Sequence, residues 1–239
     1  VTVGFYEKTY QVMRYPLQLF TFAITPALQP VLTRYKSQPD IIFTAYYQLA
    51  YKLALLGSIT AIVIFWYADD IIFILFGSQW LGATELLRIL ALSIPVQMVL
   101  SSTGGLYQAM GATREMFYCG LFSSPINVSA ILFGVYIGDM NVLCLSLVIA
   151  FMINYLQCFY VLHHYVFKIK QLKSFVILST LIVIALFNLL FTYPNIDSVE
   201  NFTYINSFYS LGRVLLPIVF AIIVVFLLRN KIKALKFEI

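Results

Sequence analysis

Seven stretches of about twenty mostly apolar residues, the length that crosses a bilayer as an α-helix, divide this chain and leave it few ways to fold. They run approximately over 6–33, 43–67, 84–108, 116–137, 142–165, 174–191 and 211–228. In lipid every backbone N–H and C=O must bond within the protein, so each stretch is expected to be a helix. Composition agrees: 62% of the 239 residues are hydrophobic and 10% are charged, against roughly 25% charged in soluble domains. The first stretch is the least apolar and holds Pro16, Pro26 and Pro30; it reads as a kinked membrane helix. The expected fold class is therefore an all-α membrane protein with seven transmembrane helices.

Orientation follows from the bias of Lys and Arg towards cytoplasmic segments. With the start outside, the inner segments carry Arg34 and Lys36, then Arg114, then Lys168, Lys170 and Lys173, then Arg229, Lys231, Lys233 and Lys236. The outer loops carry Asp69, Asp70, Asp139, Asp197 and Glu200 and no basic residue. Trp66, Tyr67 and Trp80 flank one outer loop, as amphipathic rings do at the headgroup level. The net charge of +5 lies in these short clusters and forms no solvated face that could follow a phosphate backbone, so nucleic acid is not an expected partner. Because the chain opens at Val1, already leading into a helix and with no signal peptide, it is expected to be a portion of a longer protein.

Catalytic signatures are missing. There is no glycine-rich phosphate loop, nucleophile elbow or paired-carboxylate constellation, so no enzyme activity and no cofactor are expected. Cys119, Cys144 and Cys158 lie inside apolar stretches at no zinc-like spacing and are expected to fill space. His163 and His164 are adjacent, which on a helix points them about 100° apart and unfit to share a metal.

Polar residues carry the remaining information. In the first stretch Tyr10, Arg14, Gln18, Thr21, Thr25 and Gln29 recur every three or four residues, on one helical face. The third has Ser93, Gln97, Ser101, Gly104 and Gln108; the fourth Gly120, Ser123, Asn127 and Gly134; the fifth Ser146, Ala150, Asn154, Gln157 and His164. The second is weaker, with Thr44, Gln48, Tyr51 and Ser58. Small and polar stripes let membrane helices pack closely, but five together are expected to surround a central hydrated cavity. Arg14 strengthens the expectation, since a charge at depth in lipid costs several kcal/mol unless it meets water or a partner. The last two stretches are almost wholly apolar and belong at the lipid-facing edge. Glu85 and Arg88, spaced i, i+3, suit either a local ion pair or, for Arg88, a substrate contact. The candidate cavity residues are Arg14, Gln18, Arg88, Gln97, Asn127 and Asn154.

Three local patterns resemble a known family. They are Gly4-Phe5-Tyr6-Glu7-Lys8-Thr9-Tyr10 with Pro16 and Leu28-Gln29-Pro30-Val31-Leu32-Thr33, then Phe76-Gly77-Ser78-Gln79-Trp80 before the leucine-rich 86–92, and Leu106-Tyr107-Gln108-Ala109-Met110-Gly111. In order and spacing they are similar to the polysaccharide flippases of the multidrug/oligosaccharidyl-lipid/polysaccharide exporter superfamily. Thr9 stands where that family usually has Ala, and Thr33 where it has Ser. The resemblance implies the second lobe of a two-lobe transporter without its first helix over 1–170, and a C-terminal helix pair with a basic tail over 171–239. It also implies alternating access at a bacterial inner membrane, with undecaprenyl-pyrophosphate-linked oligosaccharide as substrate. Membrane lipids would be partners, together with glycan polymerase or glycosyltransferases of the same pathway. Arg14 and Arg88 would hold the anionic headgroup, whose geometry guanidinium matches well.

Three other readings fit less well. A cation-coupled drug exporter of the same superfamily would want mid-span carboxylates, and none is present. A seven-helix receptor lacks its acidic-Arg-aromatic triplet, and a glycan polymerase or ligase needs a larger outer loop.

Overall fold

The computed structural model describes residues 2–34 and 38–167, apart from the side chains of 2, 3, 20–31 and 39. The two stretches expected at 174–191 and 211–228, the domain expected at 171–239 and the outer loop within it lie outside the described residues. So do the side chains of Thr21, Thr25 and Gln29.

The described residues are helical nearly throughout. Helix α1 covers Thr2–Arg34, α2 Pro39–Trp66, α3 Ala68–Phe76, α4 Thr84–Ala91, α5 Ile94–Met110, α6 Thr113–Ile137 and α7 Met140–Val161. A 3-10 helix, Ser78–Ala83, joins α3 to α4, and a π-helical turn, Leu162–Phe167, prolongs α7. Helices α2, α6 and α7 are long and apolar enough to cross a membrane. Segments Ser78–Ala91 and Ile94–Met110 make a fourth crossing if they act as one span bent by 58°. With 33 residues α1 has the length, but its prolines and glutamines leave it short of the hydropathy of the others.

Two features depart from the expected plain spans. The loop after α2 contains a nine-residue helix, α3. The third apolar stretch is broken at Leu92–Ser93, where Pro95 opens α5. Proline suits the first turn of a helix because its missing N–H would have no intrahelical acceptor there. Short turns meet the backbone needs of the break: Leu92 N–H donates to Ile89 C=O at 3.2 Å and Ser93 N–H to Leu90 C=O at 3.0 Å.

Helices α4 and α5 form the centre, with α1, α2 and α7 packed around them and α6 packed on α7. Met13, Tyr46, Leu53, Leu87, Leu90, Ile94 and Val99 are fully buried among these helices. Two glycines set close approaches. A Cβ on Gly57 would lie 2.7 Å from Cα of Pro95, so α2 and α5 touch backbone to backbone there. A Cβ on Gly134 would overlap Leu143, which brings α6 equally near α7. The far side of α6 stays exposed, with Phe117, Leu121, Phe122, Leu132, Phe133 and Tyr136 forming an apolar face suited to acyl chains.

Candidate functional site

The first two sequence patterns meet in space. Phe5 packs edge-on against Trp80 with ring centroids 5.5 Å apart. Gly4 lies under the Trp80 ring, and a Cβ on Gly82 would come within 3.1 Å of Phe5. The chain reaches this junction by turning at Gly77, whose φ of +91° is open to glycine and strained for other residues. The Thr9 hydroxyl donates to Phe5 C=O at 2.7 Å and lies 3.3 Å from Ala83 C=O, so its extra polar atom is satisfied although buried. Lys8 reaches back over the Phe76 ring, 5.4 Å from its centroid. In the third pattern Gly111, with φ of +73°, ends α5 and lets Ala112 N–H donate to Tyr107 C=O at 2.8 Å.

Arg88 also belongs to this end of the bundle. Its guanidinium donates to the carboxylate of Asp69 in the first turn of α3. The i, i+3 spacing with Glu85 did not suggest this partner. Arg88 is mostly buried and Asp69 mostly exposed, so we expect a coupling of about 1 kcal/mol or less. Melting of Arg88→Ala, Asp69→Ala and the double variant in detergent should show it: the double variant is expected to be little worse than Arg88→Ala alone.

At the opposite end, around the turn from α5 into α6, helices α5, α6 and α7 enclose a cleft of about 420 Å³. Gln97, Ser101, Tyr107, Ser123 and Asn154 give it polar walls, and Leu100, Met116 and Phe151 give it apolar ones. No charged residue lines it. Asn154 Nδ2 donates to Asn127 Oδ1 at 2.9 Å, while its own Oδ1 is buried without a partner. Gln97 Nε2 donates to Ser93 Oγ at 2.7 Å. The Ser123 hydroxyl faces Gln157 Oε1 at 3.4 Å. Cys119 and Cys158, free and buried, both stand by the Tyr107 hydroxyl at 3.6 and 3.7 Å, and that hydroxyl donates to Cys158 C=O at 3.0 Å. Both thiols therefore border the cleft, in addition to filling space.

The six sequence candidates separate into three places. Gln97 and Asn154 line the cleft, and Asn127 holds Asn154. Arg88 sits on Asp69. Arg14 is exposed and Gln18 half-buried on α1, whose other side buries Thr9, Val12, Met13 and Leu17 against α4 and α5. Among the described residues, the stripes of α5, α6 and α7 share the cleft, Arg14 and Gln18 of α1 lie outside its lining, and on α2 Thr44 and Ser58 donate to their own helix at Asp40 C=O and Ala54 C=O. Gly134, counted with the α6 stripe, serves packing instead. Sequence spacing missed Tyr107, Met116 and the two thiols as cleft residues, since each reads as an ordinary apolar position. His163 is buried and bonded to the Tyr47 hydroxyl, while His164 is exposed and stacked on Tyr160. Among the described residues no group of three His, Cys, Asp or Glu side chains could hold a metal.

Known proteins share both sequence and architecture with this chain. The family described as "Polysaccharide biosynthesis protein" matches residues 1–85. The teichuronic acid biosynthesis protein TuaB of Bacillus subtilis (strain 168) is 24% identical over 116 residues, 48% of this chain and 24% of that protein. The solved lipid II flippase MurJ, in an inward closed conformation, superposes with a TM-score of 0.66 at 18% identity, over 96% of this chain and 47% of that one. The chain therefore spans less than half the length of either relative. The fold is that of MurJ. The matched residues 1–85 contain the first two patterns and their junction, so the part of the chain that resembles this polysaccharide biosynthesis family is the part built around Phe5 and Trp80.

Proposed function

We propose that this chain is the second lobe of a transporter that carries undecaprenyl-pyrophosphate-linked oligosaccharide across the bacterial inner membrane by alternating access. The exposed polar face of α1 carries this reading. Glu7, Gln11 and Arg14 are exposed, with Gln18 beside them, on the side of α1 turned away from α4 and α5. Arg14 lies roughly 18 Å along the helix from Thr2, at 1.5 Å per residue. A cation at that depth is stable only beside water or an anionic partner.

In a transporter whose halves rock about a central site, such a face lines the passage between them. The guanidinium of Arg14, lying 5.9 Å from the centroid of the Tyr10 ring, is available to the pyrophosphate. The polyprenyl tail stays in lipid or in a groove near the two apolar C-terminal stretches. The start of this chain faces outwards and its basic tail the cytoplasm. No charge lines the cleft between α5, α6 and α7, which leaves the headgroup to α1.

Cysteines introduced one at a time at Glu7, Gln11, Arg14 and Gln18 of the intact protein test this directly. A membrane-impermeant maleimide applied to inverted vesicles and to intact cells is expected to label all four from at least one side. Cysteines at Met13 and Leu17 are expected to remain unlabelled. Uniform non-reactivity of the first four from both sides would remove the passage.

A further inference from the structure

The cleft between α5, α6 and α7 has a chemistry that α1 lacks. Its side chains are neutral, and the protons of its hydroxyl groups are already committed. Ser101 donates to Met98 C=O at 2.8 Å, Thr103 to Leu100 C=O at 2.7 Å and Tyr107 to Cys158 C=O at 3.0 Å. Gln97 Nε2 donates to Ser93 Oγ and to Met13 Sδ, and Asn154 Nδ2 gives one of its two protons to Asn127. A hydroxyl whose proton is spent still offers lone pairs, so what remains for a ligand is mainly acceptors. Chief among them is Asn154 Oδ1, on a residue 94% buried and without a partner. A buried carbonyl oxygen left unpaired costs about 1–3 kcal/mol, which a donor brought by a ligand recovers. A phosphate brings only more acceptors, and no cation waits for it here.

A neutral ligand rich in hydroxyl or N–H donors is the complement. The volume of about 420 Å³ falls in the range of roughly 300–1,000 Å³ typical of small-ligand clefts. Phe151, Leu100 and Met116 offer apolar surface to the C–H faces of such a ligand. We infer that this cleft binds a neutral sugar unit of the carried saccharide, separately from the pyrophosphate, with Asn154 Oδ1 as the central acceptor. The inference rests on the proposed flippase reading but uses different residues. It also assigns Asn127 a positioning role, since its bond to Nδ2 holds the Asn154 amide in one orientation.

The test is thermal melting of the purified intact protein with three probes: glucose, N-acetylglucosamine and inorganic pyrophosphate. Both sugars, at tens of millimolar, are expected to raise the melting temperature, as any ligand of the folded state does. Asn154→Leu is expected to abolish the sugar shift and leave the pyrophosphate shift, and Arg14→Ala to do the reverse. Ser101→Ala, which removes an acceptor and leaves the Asn127–Asn154 pair intact, is expected to weaken the sugar shift if Asn154→Leu does not fold. The inference is overturned if neither sugar stabilises the wild type, if the shift survives Asn154→Leu or is undiminished in Ser101→Ala, or if sodium ions stabilise in place of sugars. A sugar shift that depends on Asn154, with no pyrophosphate shift, would support the cleft while removing the role given to Arg14.

Discussion

Arg14→Ala in the intact protein is expected to cut export of surface glycan by tenfold or more while membrane insertion remains normal. The guanidinium stands on the face of α1 that does not pack against α4 or α5, so its removal leaves Met13 and Leu17 buried as before. On the proposed function the loss is a charge-assisted hydrogen bond to phosphate, roughly 1.5–3 kcal/mol, and every 1.4 kcal/mol is about tenfold. Arg14→Lys keeps the charge but not the planar fork, and is expected to retain an intermediate rate. Surface glycan measured beside the amount of protein in the membrane fraction separates transport from insertion. Normal export with Arg14→Ala would remove the cationic contact on α1.

Gly57→Leu is expected to damage the fold severely. A Cβ at this position already meets Cα of Pro95 at 2.7 Å and Sδ of Met98 at 3.1 Å. Methionine can swing aside, but the Pro95 backbone opens α5 and is held between α2 and the rest of the bundle. Overpacking of this kind costs about 1–3 kcal/mol and sometimes more, and here two helices must separate to accept four extra carbons. Gly57→Ala is expected to be tolerated partly and Gly57→Leu hardly at all. The measure is the monodisperse fraction recovered in detergent, with Leu56→Ala, at a half-exposed neighbouring position, as the mild control.

Hydropathy located the long helices well, because lipid imposes length and closure on any backbone that crosses it. The stretch read at 116–137 is helix Thr113–Ile137, and that read at 43–67 is Pro39–Trp66. It was blind to α3, whose nine residues are too few to register as a span. It was blind also to the break before α5, where Pro95 marks the start of a helix without saying that another ends three residues earlier. Periodicity told which residues share a face but not what lies opposite. On α6, Ser123 and Gly134 belong to one stripe, yet one borders the cleft and the other presses on Leu143. Arg88 was placed beside Glu85 by spacing along one helix, while Asp69, nineteen positions away, came close only because α3 folds back. The cleft was half legible: its amides stood out, and its aromatic and sulfur-bearing walls did not.

The 58° bend between Ser78–Ala91 and Ile94–Met110 also bears on the length of this segment if it crosses a membrane. As a straight rod it would measure about 50 Å, at 1.5 Å per residue, well beyond the roughly 30 Å of hydrocarbon. Angled as it is, α5 alone spans about 25 Å of thickness, and the arm before it slopes off towards the headgroups. Glu85 and Arg88 ride on that arm, where Arg88 meets the Asp69 carboxylate and so does not need the bilayer core to accept a lone charge. A single kink, with its carbonyls met by neighbouring amides, thereby trims an overlong segment to the thickness of its solvent.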